Sequence, residues 1–230
     1  MSAYDAIARI YDPWSVSVTE DIPFYVEEAR RSGGPVVELG VGTGRIAVPI
    51  ACDGIRVIGV DSSSAMLEVA AERAALAGAT LDLRLGDLRE PPIDERVPLV
   101  IIPFRSLLHL HGDAELGRAL ESVRRLLQPG GRFVFDVFTP SAADIRETDG
   151  RWLEREPGIY ERADWDSEAR TLTLSLRSDG VESTMQLAWL APDEWRALLE
   201  REGFTVDACF GWFDRRPYRG GEDTIWLASI

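Results

Sequence analysis

Short apolar runs separated by stretches of helical periodicity dominate the chain from residue 35 to residue 139. PVVELG, GIRVIGVD, LDLRLGD, VPLVIIPF and GRFVFDVF are rich in Val, Ile, Leu and Phe and bounded by Gly, Pro or Asp. Such runs predict strands buried on both faces of a sheet. Between them, Ser64 to Ala77 opens on serines able to cap a helix. DAELGRALESVRRLLQPGG carries Leu116, Leu120, Val123 and Leu127 at helical spacing, with Asp113 as its expected N-cap and Pro129-Gly130-Gly131 as its end. Strands and helices in alternation predict an α/β fold built on a mainly parallel sheet with helices on both faces.

After residue 140 the pattern changes to period two. Leu172, Leu174 and Leu176 alternate before Asp179-Gly180, and Val181, Met185, Leu187 and Trp189 follow it, which predicts a β-hairpin with a two-residue turn. Ile159 to Asp166 is a candidate third antiparallel strand. The α/β pattern then resumes. Pro192 stands in a helix first turn, Trp195, Leu198 and Leu199 give that helix its apolar face, and Gly203 ends it. FTVDACFGWF and DTIWLASI supply two last strands.

Composition narrows the class. At 230 residues, 45% hydrophobic and 28% charged, the chain has the material for one domain with its own core. No window approaches the roughly 18 apolar residues that cross a bilayer. The N-terminus MSAYDAIARIYDPWS lacks the basic and apolar segments of a secretory signal, so the expected location is the cytoplasm. Cys52 and Cys209 form no metal-like cluster, and no metal is expected. A net charge of −14 opposes a polyanionic partner. The expected partner is a small molecule, with neither nucleic acid nor membrane, and a homodimer is the one assembly held open.

The candidate chemistry begins at Gly40, Gly42 and Gly44, between an apolar strand and a helix, where glycine lets a ligand approach main-chain N–H groups. A dinucleotide fingerprint would place its third glycine at position 45, which here is Arg45. Glu38, just ahead of the loop, would repel a diphosphate and attract a cationic ligand. Asp61, at the end of the second strand, is the carboxylate expected to accept from two ribose hydroxyls. Asp87 closes the next strand, either as acceptor for an adenine amino group, with Leu88 and Met66 packed on the ring, or as a turn residue. A nucleoside carrying a positive charge fits these positions.

On these residues the chain resembles the class I S-adenosylmethionine-dependent methyltransferases of the small-molecule type. ELGVGTGRIAVPIA is similar to the family's first motif, VIGVDSSSAMLEVA to its second, GD at 86 to 87 to its adenine acid, and LLQPGGRFVFDVF to its later helix-to-strand segment. The resemblance implies a Rossmann-like seven-stranded, mostly parallel sheet of order 3-2-1-4-5-7-6 whose last strand is antiparallel, with S-adenosylmethionine as cofactor. It further implies that Glu38 and the loop glycines face the methionine moiety, Asp61 the ribose and Asp87 the adenine, with Ser62 also among the cofactor-binding residues.

In IIPFRSLLHLHGD, Phe104 is expected to line the cofactor cleft. His109 is expected either as the base that takes a proton from the acceptor or as a structural histidine, and Arg105 either to bind an acceptor carboxylate or to pair with an acid. Tyr4, Tyr11 and Trp14 have helical spacing. The N-terminal residues 1–34 are read as a helical lid, with Tyr11 near the methionine end. Residues 35–139 and 191–230 form the cofactor-binding core, and 140–190 an antiparallel insertion lining the acceptor pocket. The function so implied is methyl transfer to an N or O atom of a small molecule. A nicotinamide-dependent oxidoreductase and a non-catalytic S-adenosylmethionine-binding protein are the alternatives.

Overall fold

The computed structural model describes residues 2–15 and 19–230. The first five strands are β1 (Val36–Leu39), β2 (Val57–Asp61), β3 (Asp82–Leu85), β4 (Val97–Ile102) and β5 (Leu127–Phe138). Then come β6 (Arg151–Glu156), β7 (Ile159–Asp166), β8 (Thr171–Ser178) and β9 (Val181–Ala188), and finally β10 (Thr205–Phe210) and β11 (Asp223–Ser229). The helices are α1 (Tyr11–Ser15), α2 (Asp21–Ser32), α3 (Ala47–Cys52), α4 (Ser64–Leu76), α5 (Gly112–Leu126), α6 (Ala142–Thr148) and α7 (Pro192–Arg201), with a 3-10 turn at Ser106–His109.

The main sheet runs β10-β11-β5-β4-β1-β2-β3, and β11 is antiparallel to both of its neighbours. With the insertion strands left out of the numbering, this is the arrangement expected from the resemblance, read from the other edge. Strand pleat divides the core into two layers. Val37, Val100, Ile102, Phe133 and Phe135 face Leu116, Leu120 and Val123 of α5 and Trp195 and Leu198 of α7. Val36, Val57, Leu99, Ile101 and Val134 face Phe24, Tyr25 and Ala29 of α2 and Ile50 of α3.

Two local readings are corrected here. The N-cap of α5 is His111 rather than Asp113, and the Glu115 carboxylate accepts from the His111 N–H at 2.8 Å. That helix also ends at Leu126. Leu127 already lies in β5, and Pro129-Gly130-Gly131 falls within the strand, its first four residues bending around Gly130 at φ 74°. The Ser63 cap of α4 is as expected, accepting from the Met66 N–H.

Residues 140–190 form a separate four-stranded antiparallel sheet, β6-β7-β8-β9. The predicted hairpin is in register, with Leu172 opposite Leu187 and Leu174 opposite Met185, and β7 adds the third strand. The polar strand β6 was not anticipated, because RWLERE carries no alternation of apolar residues. The inward face of this sheet joins the core layer that also holds Leu107, Leu108 and Leu110. Among the described residues, no helix is long and apolar enough to cross a membrane.

A candidate active site of two adjoining cavities

Two cavities, of about 410 Å³ and 470 Å³, open at the C-terminal ends of β1, β2 and β4 and share Tyr4, Tyr11, Phe104, His109 and Met185 in their walls. Ligands of parallel α/β sheets bind at this end, where strand order reverses.

The first cavity is built by the loops the sequence singled out. Gly40, Gly42, Asp61, Ser62, Met66, Asp87, Leu88, Phe104 and Tyr11 all line it. The glycine loop turns on left-handed residues. At Gly40 (φ 76°) a Cβ would stand 2.8 Å from Ser106 Oγ, whereas at Gly42 (φ 52°) it would meet nothing within 4 Å. Gly42 donates its N–H to Asp61 Oδ2 at 2.8 Å, and Ser63 donates to Asp61 Oδ1 at 2.9 Å. Burial raises the Asp61 carboxyl above its ordinary range, while these main-chain donors pull it back down.

Two expected ligand-facing residues are elsewhere. Gly44 (φ 74°) packs against Ala70 of α4, where a Cβ would come within 3.2 Å of the alanine's own, so its smallness serves helix packing. Glu38 lies beneath the loop, 2% exposed, because β1 is covered on both faces. Burial pushes its carboxyl well up, and Oε2 has no hydrogen-bond partner among the described residues. Asp87 reaches the wall with its carboxylate already engaged. Oδ1 accepts from the Arg89 N–H and Nε, and Oδ2 from Arg89 Nη2 at 2.6 Å, which holds the group below its usual range.

The second cavity draws on four stretches far apart in sequence. Trp14 and Ser15 come from the N-terminal segment, Arg105 and Phe138 from the core, Glu156, Glu161, Trp165, Leu172 and Leu174 from the insertion, and Glu222 from the turn before β11. Asp144, Glu156, Glu161 and Glu222 stand against Arg105 and Arg155, and both arginines are paired: Arg105 with Asp223 at 2.9 Å, Arg155 with Glu161 at 2.7 Å. Of the two roles weighed for Arg105, the ion pair is the one formed, with its guanidinium also 4.5 Å above the Phe138 ring.

His109 stands where the cavities meet. Its Nε2 is 2.7 Å from the Tyr4 hydroxyl, and the rings meet edge to face. Burial and the neighbouring His111 push the imidazole down to about 4, against a hydrogen bond to the Gln186 backbone that works the other way. The ring is therefore neutral at pH 7 and accepts from Tyr4, whose hydroxyl burial keeps protonated. Such a ring is a weak proton sink, which argues against the expected role of base and for one in orientation.

The N-terminal segment contributes to the walls of both cavities. Ser183 Oγ donates to the Ala3 carbonyl at 2.6 Å, Trp14 Nε1 to Glu161 at 2.7 Å, Ser63 Oγ to Asp5 at 2.6 Å and Thr43 Oγ1 to Asp12 at 2.6 Å. The segment thus ties the insertion to the core. Among the described residues of the N-terminal segment, those up to Ser15 line the cavities. The rest of the expected 1–34 lid, α2, is a core helix, with Tyr25 fully buried, while Met1 and residues 16–18 lie outside the described residues. Sequence reasoning also missed Asp136, which lies in the quoted GRFVFDVF strand without being singled out and whose partners come from α2 and the loop after β4.

Known proteins resemble the chain in both sequence and fold. Residues 36–131 match the model of a methyltransferase domain family. A putative methyltransferase of Geobacillus sp. (strain WCH70) is 28% identical over 95% of this chain and 92% of its own length. The CcbJ methyltransferase from Streptomyces caelestis superposes with a TM-score of 0.85 at 27% identity, covering 99% of this chain and 97% of that one. CalS10 of Micromonospora echinaspora, an amino pentose methyltransferase solved with S-adenosylmethionine bound, superposes with a TM-score of 0.67 at 19% identity over 100% and 97% of the two chains.

Proposed function

We infer that the chain is a class I S-adenosylmethionine-dependent methyltransferase that methylates an N or O atom of a small molecule held in the second cavity, nitrogen being the better fit. The observation that carries this reading is the shared wall: one cavity lined by nucleoside-binding positions meets a second, acidic and aromatic one at Tyr4, Tyr11, Phe104 and His109. The cofactor, S-adenosylmethionine, supplies a methyl group made electrophilic by its sulfonium.

The residues of the first cavity fit that cofactor. Gly42 leaves open space where any other residue would place a side chain. Asp61 keeps acceptor capacity for a ribose diol beyond the bonds from Gly42 and Ser63. Met66 and Leu88 are apolar neighbours for a purine, with Asp87 as acceptor for its amino group and Ser62 beside the ribose. Glu38 Oε2, buried and unpartnered, is available to an ammonium, whose charge would favour the ionised carboxylate.

On the acceptor side, four carboxylates against two already paired arginines favour a cationic amine over a phosphate or carboxylate ligand. An amine attacks only as the free base, so the bound ammonium first gives a proton to solvent or to one of these carboxylates, and the neutral amine then takes the methyl group to become the methylated ammonium. The Tyr4 oxygen, its proton donated to His109, keeps lone pairs that can hold the acceptor's N–H or O–H, and the aromatic wall excludes water from the line of transfer. In this reading residues 2–15 are the lid, 35–139 and 191–230 the cofactor core, and 140–190 the acceptor wall. CalS10, which shares the fold, is an amino pentose methyltransferase, so an acceptor that carries an amine suits this architecture.

Calorimetry with S-adenosylmethionine and its demethylated product, followed by mass spectrometry on matched amine and alcohol acceptors, tests the proposal. Micromolar binding and a single methyl gain on the amine members support it. Gain on the alcohols alone would move the acceptor to oxygen. Binding without turnover on any acceptor would favour the non-catalytic alternative, and no binding by a folded protein would remove the reading.

A further inference from the structure

Two consecutive residues at the shared wall, Phe104 (φ 53°) and Arg105 (φ 64°), are left-handed, a conformation that L side chains enter only against a steric cost. Neither is glycine, so something must hold them. Successive main-chain N–H groups of a turn can point to one side and make a concavity that suits an anion, and those of Phe104 and Arg105 do so. Asp136 fills it. Its Oδ1 accepts from the Phe104 N–H at 2.8 Å and its Oδ2 from the Arg105 N–H at 3.2 Å, while the Tyr25 hydroxyl donates to Oδ1 at 2.6 Å from the opposite side.

We infer that Asp136 is a positioning residue for the reaction: by anchoring the two left-handed residues it sets where the Phe104 ring stands between the donor and acceptor cavities. The inference rests on the reading of the cavities given above. Asp136 sits on β5 one residue beyond the pairing of Ile102 with Phe135, so it reaches the chain where β4 ends and the loop begins. It is 7% exposed. The Arg105 guanidinium, the nearest basic group of the loop, turns to Asp223 and leaves the carboxylate to the two main-chain donors and Tyr25. The held ring lies edge-on to Tyr11 at 6.4 Å, with the Arg45 guanidinium 4.7 Å from its centre. Without the anchor, relaxation of φ at either residue would swing Phe104 into one cavity or out of both.

Burial raises the Asp136 carboxyl to about 6, with Asp21 of α2 adding to the rise and Tyr25, the Phe104 N–H and Arg105 opposing it; Arg45 and Tyr11 are the other titratable groups facing it. At pH 7 it is ionised and both oxygens accept.

The test is amide hydrogen exchange by NMR on the ligand-free protein, together with turnover. In Asp136→Asn the amides of Phe104 and Arg105 should exchange at least tenfold faster, with the β4 and β5 ladder amides unchanged, and kcat should fall at least tenfold. General destabilisation would instead raise exchange throughout the sheet and overturns the inference, as does retained protection of the two amides. Should that variant not fold, Asp136→Asn combined with Arg105→Gly serves, since glycine takes up the left-handed conformation unaided. Because Phe104 still depends on the anchor there, its amide should exchange at least tenfold faster and turnover should fall at least tenfold relative to Arg105→Gly alone, and unchanged protection and turnover overturn the inference. The exchange result needs no cofactor. Lost protection in a protein that also fails to bind S-adenosylmethionine would support the anchor while removing the donor and acceptor reading.

Discussion

The two cavities differ in how they are made. The donor cavity is walled by successive strand ends of one sheet, so its groups follow one another in the chain: the loop after β1, Asp61 after β2, Asp87 after β3, Phe104 after β4. The acceptor cavity is walled by segments that meet only because the N-terminal segment and the β6–β9 sheet fold back over the core. The first is held by main-chain hydrogen bonds and glycine geometry, the second by side chains of the N-terminal segment and the β6–β9 sheet. A ligand shared by a whole family can be served by the first arrangement, and a changed acceptor by exchanging the second.

Filling the donor cavity should give the largest effect. Gly42→Leu places a side chain in open space beside the ligand and strains φ 52°, so affinity for S-adenosylmethionine should fall at least a hundredfold, about 2.7 kcal/mol or more, while the fold survives. Calorimetry and circular dichroism check it, and an affinity within threefold would mean that the loop does not cradle the cofactor.

Asp61→Ala comes next. Loss of hydrogen bonds to a charged acceptor should weaken cofactor binding by roughly 1.5 to 3 kcal/mol. Unchanged affinity would mean that Asp61 serves only its own bonds from Gly42 and Ser63.

His109→Asn sharpens the contrast from the other side. Turnover should fall about tenfold, the modest loss of an orienting contact rather than of a proton acceptor, with cofactor affinity within about twofold. The wild-type stability should also carry a His109 signature. The unfolded chain takes up a proton near pH 6.5, whereas the folded ring refuses it until about 4, so stability is lost as pH falls through that window. The variant should lose less stability there, as read by chemical denaturation at pH 7 and pH 5. Equal losses would mean that His109 is not buried neutral.

The smallest effect concerns the cover. Amides of residues 2–15 should exchange a few-fold more slowly once cofactor is bound, because Tyr4 and Tyr11 then close on a filled cavity. Equal exchange with and without ligand would make the segment a permanent part of the core rather than a lid.

The amino-acid sequence by itself determined the sheet, its two apolar faces, the β8–β9 hairpin with a third strand beside it, and the strand-end positions that line the first cavity. Those follow from local periodicity, turn residues and glycine spacing, which act over a few residues. Tertiary structure decided the rest. Glu38 and Gly44 stand within the same motif as Gly42, yet burial of β1 places Glu38 beneath the loop and the approach of α4 gives Gly44 to helix packing. The pairing of Arg105 with Asp223, the Tyr4 contact that makes His109 an acceptor of hydrogen bonds, and the grip of Asp136 on Phe104 join residues 118, 105 and 32 positions apart. No local pattern carries such contacts, because a side chain's partner and ionisation depend on which distant surfaces exclude water around it.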